Sequence, residues 1–268
     1  MTSERELHDR EAAFHDEWAD STDIAGVDVR PAFEAATAPE NRFILGLAGD
    51  LRGKRLLDVG AGLGESSVYF ALKGAEVTSL DLSPRMVELT RRLAEAHGAR
   101  LEALVSPGEQ LPVPSESYDI VYLANVVHHV EDRESLWREV YRVLKPGGRF
   151  FSWDPLAYNP VINVYRRMAT EVRTPDERPL TFRDLATPRR LFRNVGHREF
   201  WITTLLLFLK YYLVDRVNPN ASRYWKRILK EPRERLGWFI ALQRLDDGLT
   251  RLPLIRRLAW NMVMWGEK

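Results

Sequence analysis

The sequence LDVGAGLG (residues 57–64) decides the fold, because an apolar run ends there in a carboxylate and three glycines follow. Glycine accepts positive φ angles and lets a ligand approach the backbone closely. The stretch therefore predicts either a tight turn or a ligand-binding loop. Its Gly-x-Gly-x-Gly spacing departs from the Gly-x-Gly-x-x-Gly pattern of dinucleotide enzymes. The carboxylate of Asp58 also disfavours a pyrophosphate and suits a ligand with a positive group.

Strand and helix patterns alternate regularly around this loop. Short apolar runs predict buried strands, and residues such as Ser83 and Gly98 mark the ends of the helix between two of them. The predicted strands cover residues 55–60, 75–82, 100–106, 118–127 and 149–155, and the predicted helices cover 64–74, 83–98 and 133–148. This alternation predicts an α/β fold with a doubly wound, mostly parallel sheet, in which ligands bind beyond the carboxyl ends of the strands.

Asp81 is placed at the end of the second predicted strand, next to the glycine loop. A carboxylate at this position can accept both hydrogen bonds of a ribose diol. The alternative is a surface Asp that caps the following helix. The neighbouring glycine loop favours the ribose interpretation.

The composition is that of an ordinary globular protein, with 45% apolar and 29% charged residues among 268. The chain has no cysteine, which excludes disulfides, thiolate metal sites and cysteine nucleophiles. The first residues are charged and amphipathic and lack the apolar centre of a secretion signal, so we expect a cytoplasmic protein.

Charge is distributed unevenly along the chain. Residues 1–159 hold 17 basic and 27 acidic side chains, whereas residues 160–268 hold 22 basic and 11 acidic ones. Such asymmetry indicates an anionic partner for the second half, either nucleic acid or a membrane surface. The alternative is that the two halves attract each other.

About 100 contiguous residues carry a family resemblance. The matching stretches are LLDVGAGLG (56–64), VTSLDLSPRMVELTRRLA (77–94), LPVPSESYDIVYLANVVHHVED (111–132) and EVYRVLKPGGRFF (139–151). In this order and spacing they resemble the class I S-adenosylmethionine-dependent methyltransferases, near the ubiquinone/menaquinone C-methyltransferase branch. The resemblance implies a Rossmann-like methyltransferase fold, and S-adenosyl-L-methionine as a cofactor that leaves as S-adenosyl-L-homocysteine.

The resemblance also implies roles for residues at the strand ends. The glycine loop would cradle the methionine part of the cofactor, Asp58 would face its ammonium group, and Asp81 would hold the ribose. Pro107 stands where the family often has an Asp for the adenine amino group, so that contact is expected from backbone or from neighbouring side chains. The expected cofactor-binding residues are Asp58, Gly60, Ala61, Gly62, Gly64, Asp81, Leu82, Met86, Gly108, Glu109, Gln110, Ala124, Asn125 and Val126.

The acceptor side is predicted from residues beyond the cofactor loop. His128 and His129 follow the fourth predicted strand, where one of them would act as a general base or the pair would order the loop by hydrogen bonds. Methyl transfer from a sulfonium needs mainly alignment and desolvation, so a base is not required. The expected substrate residues are His15, Trp18, Tyr158, Arg166, Arg173 and Arg178, the arginines as ligands of a phosphate or carboxylate or as solvated surface residues.

Four segments are predicted along the chain. They are an N-terminal helical lid (1–50), the cofactor-binding core (51–157), a mainly helical basic cap (158–257) with a sixth strand near 198–204, and a last strand (258–268). The cap would be inserted after the fifth and sixth strands of a seven-stranded sheet.

The segment FWITTLLLFLKYYLVDR (200–216) has an apolar part of about 14 residues, shorter than the roughly 20 that span a membrane. Its aromatic residues and the basic residues up to position 235 are typical of a helix lying on an anionic membrane surface. The alternative is a strand followed by a core helix that roofs a hydrophobic pocket. Both interpretations favour an apolar or amphipathic acceptor.

Together these patterns predict a methyltransferase that transfers the methyl group by direct displacement to a small apolar or lipid-like acceptor. An acceptor that also carries an anionic group is one form of this prediction. One alternative is a tRNA methyltransferase that uses the basic second half, although the sequence has no recognised RNA-binding module, so a nucleic-acid partner is not expected. Another is a cofactor-binding regulator without catalysis. No metal ion is expected.

Overall fold

The computed structural model describes residues 4–24, 26–171, 173–174, 177–220, 222–230 and 237–268. The strands are β1 (Arg55–Val59), β2 (Glu76–Asp81), β3 (Leu101–Val105), β4 (Tyr118–Ala124), β5 (Leu144–Pro155), β6 (Arg193–Phe200) and β7 (Asn261–Glu267). The α-helices are α1 (Glu4–Asp20), α2 (Pro31–Glu34), α3 (Pro39–Ala48), α4 (Glu65–Leu72), α5 (Pro84–Ala96), α6 (Arg133–Val143), α7 (Pro160–Met168), α8 (Ala186–Leu191), α9 (Leu206–Leu209), α10 (Tyr224–Arg227) and α11 (Gly237–Leu249).

The seven strands form one sheet in the order β3-β2-β1-β4-β5-β7-β6. Strands β1 to β5 pair in parallel, and β7 lies antiparallel between β5 and β6. The predicted doubly wound, mostly parallel seven-stranded sheet is therefore confirmed. Strand order reverses between β1 and β4, so the carboxyl ends of these two strands border the crevice where such sheets bind ligands.

Apolar side chains cover both faces of the sheet, as expected for parallel strands. One face packs against the N-terminal helices and the cap through an aromatic cluster that contains Phe33, Tyr69 and Tyr122. The other face packs against α6 and the end of α8 through Trp137 and its neighbours Phe150 and Phe192. These two cores fix the strand ends relative to each other and thereby position the site.

Helix starts follow the caps seen in the sequence. The Ser83 hydroxyl accepts a hydrogen bond from the backbone N–H of Met86 at 3.0 Å, and Pro84 occupies the first turn of α5. Within the predicted N-terminal helical lid, residues 31–48 are divided into the two helices α2 and α3. The break falls at residues 35–38, immediately before Pro39, because a residue preceding proline is disfavoured in the helical conformation.

The predicted sixth strand near 198–204 requires a correction, because β6 spans Arg193–Phe200 and ends before those last four residues. Trp201 has a φ of 68°, and Thr203–Leu205 forms a 3-10 helix. The buried carboxylate of Asp246 on α11 accepts hydrogen bonds from three successive backbone N–H groups, those of residues 202–204. Residues 201–204 have the composition of a strand, but the distant carboxylate of Asp246 binds their backbone N–H groups at the start of a 3-10 helix.

The rest of segment 200–216 continues as α9 and a π-helix, Lys210–Val214. One side of this segment enters the core, with Leu207, Phe208 and Tyr211 buried. The other side exposes apolar side chains at Leu206, Leu209, Tyr212, Leu213 and Val214. Among the described residues, no helix combines the length and apolar character that membrane crossing requires. Residues 231–236, which include the last basic positions of the predicted membrane surface, lie outside the described residues.

Short 3-10 helices complete the cap at Phe182–Leu185, Ile228–Lys230 and Ile255–Leu258.

Candidate active site

The glycine loop after β1 is shaped by contacts that exclude larger side chains. Gly60 has a φ of 69°, and a Cβ atom there would lie 2.4 Å from Cγ2 of Val126. Gly64 has a φ of 80°, and a Cβ atom there would lie 2.5 Å from Oγ1 of Thr90. Both positions therefore require glycine, for conformation and for space. The loop is held tightly against β4 and α5 while its inner surface stays open to a ligand.

Asp58 lies beneath this loop and is almost fully buried. Its Oδ2 accepts hydrogen bonds from the hydroxyls of Ser66 and Ser67 at 2.5 and 2.6 Å, which tie the start of α4 to β1. Burial raises the pKa of Asp58 to about 6, against the opposing effect of the two serine bonds. Asp58 itself lines neither cavity described below, although Ser66 does. The expected contact of Asp58 with an ammonium group stays a prediction.

Asp81 ends β2 and reaches the glycine loop. Its Oδ2 accepts the backbone N–H of Gly62 at 2.7 Å, and its Oδ1 accepts that of Ser83 at 2.9 Å. Each carboxylate oxygen keeps a further lone pair for a ligand. Asp81 also lines a cavity, so both interpretations of this residue, capping and ligand binding, are compatible with its position.

That cavity, called here the adenosine cavity, has a volume of about 120 Å³. Among the residues expected to bind the cofactor, Leu82, Gly108, Glu109 and Val126 line it. Met86 and Gln110 do not, because Met86 is buried under α1 and the side chain of Gln110 points to solvent. Sequence reasoning missed Leu7, His8 and Glu11 of α1, and Ser106 and Pro107 after β3. The spacing of Leu7, Glu11 and His15 on one face of α1 was the available signal.

A second cavity of about 260 Å³, called here the acceptor cavity, adjoins the first. Five residues line both cavities: His15, Gly60, Gly62, Asn125 and His129. Trp18, expected as a substrate residue, lines the acceptor cavity, and so do Ala61 and Ala124, which were expected to bind the cofactor. The two spaces together form one bipartite site at the carboxyl ends of β1 and β4.

The far part of the acceptor cavity was missed at the sequence level, because its residues come from separate elements. Four tryptophans form much of its wall: Trp153, Trp201, Trp225 and Trp260. The buried carboxyl of Glu40 on α3 also lines it and accepts a hydrogen bond from the side-chain amide of Asn261 at 2.6 Å. Burial raises the pKa of Glu40 to about 7. Much of the cavity wall is therefore aromatic, and the Glu40–Asn261 pair is a polar, weakly acidic group within it.

His128 and His129 differ in their surroundings. His128 is buried, its Nδ1 lies 2.8 Å from Oδ1 of Asp154, and its backbone N–H donates to the same oxygen at 3.1 Å. Burial lowers the pKa of His128 and raises that of Asp154 to about 7. His128 therefore orders the loop, whereas His129 lies at the junction of both cavities with its Nδ1 3.3 Å from Oε2 of Glu11.

Arg173 lies close enough to Arg166 to lower the pKa of its guanidinium. Burial and the neighbouring Arg173 together lower the pKa of Arg166 to about 9. Arg173 lines the acceptor cavity, and burial lowers its pKa to about 10. Arg223, missed in the sequence, stacks on Trp18 at 4.1 Å from the ring centre. Glu177 forms an ion pair with Arg173.

Three of the expected substrate residues, Tyr158, Arg166 and Arg178, line neither cavity. Tyr158 stacks on Phe182, and its hydroxyl accepts the backbone N–H of that residue at 3.3 Å. The side chain of Arg178 is 64% exposed and pairs with Glu131. Tyr158 and Arg178 are therefore not retained in the candidate site, whereas Arg166 lies beside Arg173.

The sheet topology is that of the class I, Rossmann-like methyltransferase fold. Residues 57–152, less than half of the chain, match the family model described as a methyltransferase domain. That part of the chain is therefore similar to methyltransferase domains.

Two curated methyltransferases and one solved structure illustrate what this chain is similar to. The ubiquinone biosynthesis O-methyltransferase of Bordetella avium is 37% identical over 42% of this chain and 47% of its own length. The ubiquinone/menaquinone biosynthesis C-methyltransferase of Geotalea daltonii is 36% identical over 35% and 43%. The chain thus spans about half the length of the curated relatives it matches. The YcgJ protein of Bacillus subtilis has a solved structure with a TM-score of 0.57 and 22% identity, covering 85% of this chain and 97% of that one, which supports the fold alone.

Proposed function

We propose that this protein is an S-adenosyl-L-methionine-dependent methyltransferase that acts on a small molecule held in the acceptor cavity. The observation that carries the proposal is the junction of the two cavities at Gly60, Gly62 and His129. A cofactor spanning this junction would place its methyl group between the adenosine cavity and the acceptor cavity. Transfer then depends on alignment and exclusion of water.

The residues present fit the proposed cofactor. The space at Gly60 admits no Cβ atom, so the loop backbone itself would form the wall beside the ligand. The cofactor, when bound, supplies an electrophilic methyl group on a sulfonium. Asp81 would accept the ribose hydroxyls, and Asp58 would act through Ser66 on the amino-acid end. His15 and Trp18 on α1 line the acceptor cavity, where their side chains would exclude water.

The proposal is tested by calorimetric titration of the protein with S-adenosyl-L-homocysteine, with NAD as the control ligand. One molecule of S-adenosyl-L-homocysteine is expected to bind per chain, and NAD is expected not to compete. Binding of NAD in its place would support a dinucleotide site and contradict the proposal.

The acceptor we propose is apolar and carries a ring or chain that the tryptophans can cover. Four tryptophans bury large apolar area, and the Glu40–Asn261 pair offers one hydrogen-bonding spot for a hydroxyl or carbonyl. The names of the relatives from ubiquinone and menaquinone biosynthesis support an acceptor of this lipid-like class. Incubation of a cell extract with methyl-labelled cofactor tests this point. Label in the organic fraction is expected, whereas label confined to RNA would support a nucleic-acid acceptor.

An anionic group on the acceptor is supported by Arg173, which lines the acceptor cavity, with Arg166 beside Arg173 and Arg223 stacked on Trp18. Within the described part of the chain, Nε and Nη2 of Arg166 and Nε of Arg223 are buried and have no hydrogen-bond partner. Unpaired buried guanidinium groups are costly, and a phosphate or carboxylate would pair with them in forked geometry. Inorganic phosphate should therefore bind the wild-type protein and Arg178→Gln equally, and Arg166→Gln more weakly. Equal binding in all three would contradict this part of the proposal.

We further propose that the exposed apolar side of segment 200–216 contacts an anionic membrane surface, where a lipid-like acceptor is held. Leu213 and Val214 are 66% and 71% exposed, and Arg216 follows them on the same exposed stretch. Co-sedimentation with vesicles that contain anionic lipid is expected for the wild-type protein and is expected to be lost in Leu213→Ser. Absence of co-sedimentation at low salt would contradict the membrane proposal. The cytoplasmic location stays a prediction.

A further inference from the structure

Glu11, His15 and His129 bring three potential metal ligands together at the junction of the two cavities. We propose that these three side chains bind one divalent transition-metal ion. Glu11 and His15 lie one turn apart on α1, and His129 follows β4, so two separate elements supply the ligands. No metal ion was expected from the sequence, and His129 is more than a hundred positions away from Glu11 and His15.

The distances suit an ion of this size. Oε2 of Glu11 lies 3.3 Å from Nδ1 of His129 and 3.8 Å from Nε2 of His15. The three ligand atoms all lie within 4.8 Å of one another. Tetrahedral ligands at about 2.1 Å from zinc are separated by roughly 3.4 Å. Small side-chain rotations therefore bring the three atoms to bonding distance.

The electrostatic surroundings also favour a cation. Both carboxylate oxygens of Glu11 are buried, and their partners among the described residues are His129, His15 and the neutral hydroxyl of Thr174. Nδ1 of His15 is also buried and has no hydrogen-bond partner among the described residues. A buried carboxylate flanked by two imidazole rings is a donor set that suits a divalent transition-metal ion.

A neighbouring group of residues is less suitable. His128, His129 and Glu177 also offer three ligand atoms within the same range. However, Glu177 is ion-paired with Arg173, and Nδ1 of His128 is engaged by Asp154. Among the described residues, the ion pairs of the Glu11 carboxylate are those with His15 and His129 themselves. The hydroxyl of Thr174, which hydrogen-bonds to Glu11 and lies 3.4 Å from Nδ1 of His129, is neutral. The ion is therefore assigned to the Glu11 group.

Two consequences follow for the site. An ion held here would tie α1 to the loop after β4 and so keep the lid closed over the adenosine cavity. Two histidines and one carboxylate leave coordination positions open. His15 and His129 line the acceptor cavity as well, so an open position would face an oxygen of the acceptor. This second consequence rests on the proposed function, whereas metal binding itself does not.

The test is a calorimetric titration of Zn²⁺ into tag-free protein that has been stripped with a chelator. One ion per chain is expected, with Co²⁺ giving a visible absorption band at the same stoichiometry. His15→Gln and His129→Gln, on two different elements, should each weaken binding at least 10-fold, since even loss of a ligand's hydrogen-bond partner costs about that much. His197→Gln is the matched control, because His197 also lies beside a carboxylate, 2.5 Å from Glu199, but on β6.

Substoichiometric binding by the wild-type protein would overturn the proposal, as would equal affinities in the control and both variants. Titration with S-adenosyl-L-homocysteine is run on the same stripped protein. Cofactor-product binding without metal binding would overturn only the metal site. Metal binding without cofactor-product binding would leave the metal site standing and contradict the proposed function.

Discussion

Asp81→Asn removes one carboxylate oxygen at the point where the structure connects β2, the glycine loop and the adenosine cavity. In the folded protein the two oxygens accept the N–H groups of Gly62 and Ser83 at 2.7 and 2.9 Å. An asparagine supplies one acceptor and one donor, so one of these backbone donors is left facing another donor. Leaving a buried donor unpaired costs about 1–3 kcal/mol of stability.

The same substitution is also expected to weaken ligand binding. Hydrogen bonds to a charged group contribute about 1.5–3 kcal/mol each, which corresponds to roughly 10- to 150-fold in affinity. Replacing the carboxylate should therefore weaken binding of S-adenosyl-L-homocysteine by at least one order of magnitude. Calorimetric titration measures this directly, and urea unfolding of the same sample separates it from the loss of stability.

Asp119→Asn is the matched control for this variant. Asp119 also accepts hydrogen bonds from a backbone N–H, that of Arg55 at 2.9 Å, and from the ammonium of Lys145, but at the amino ends of the strands. The Asp119→Asn variant should lose stability and keep its affinity for S-adenosyl-L-homocysteine. Unchanged affinity in Asp81→Asn, or an equal loss in both variants, would refute the assignment of Asp81 to the ribose.

Three further variants test the structure. Gly60→Ala should lose ligand binding and more stability than Gly98→Ala, because both glycines have positive φ but only Gly60 meets a neighbour at 2.4 Å; equal unfolding midpoints would contradict this. The pKa of Glu40 is raised to about 7, so its contribution to stability is full below pH 4.5 and is lost as pH rises to 7. Glu40→Gln should remove up to about 3 kcal/mol of that pH dependence in unfolding measurements, and the exposed Glu102→Gln should not. Asp246→Ala should destabilise the protein by at least about 3 kcal/mol through three unpaired N–H groups, whereas Asp247→Ala, which loses only a pair with Arg198, should cost under about 1 kcal/mol.

The core of the fold was predictable because parallel strands buried on both faces leave short apolar runs in the sequence. Part of the lining of the adenosine cavity was also predictable, since ligands bind at strand ends, where Asp81 ends β2 and Asn125 directly follows β4. The family resemblance added the roles of the glycines. These features depend on neighbours along the chain, which a sequence displays.

The features that sequence reasoning missed depend on contacts between distant residues. Asp246 ends β6 from more than forty positions away, and the pair of Glu40 and Asn261 joins the two ends of the chain. Glu11 belongs to an amphipathic helix whose charged face gave no sign of burial. Arg223 lies in the irregular cap, where local patterns do not indicate which side chains turn inward.

The most direct test of the central claim is a crystal structure of the protein with S-adenosyl-L-homocysteine. The account predicts the ribose hydroxyls within hydrogen-bond distance of Asp81 and the sulfur at the junction lined by Gly60 and His129, facing the acceptor cavity. A ligand bound elsewhere, or one whose sulfur points away from that cavity, would contradict the account.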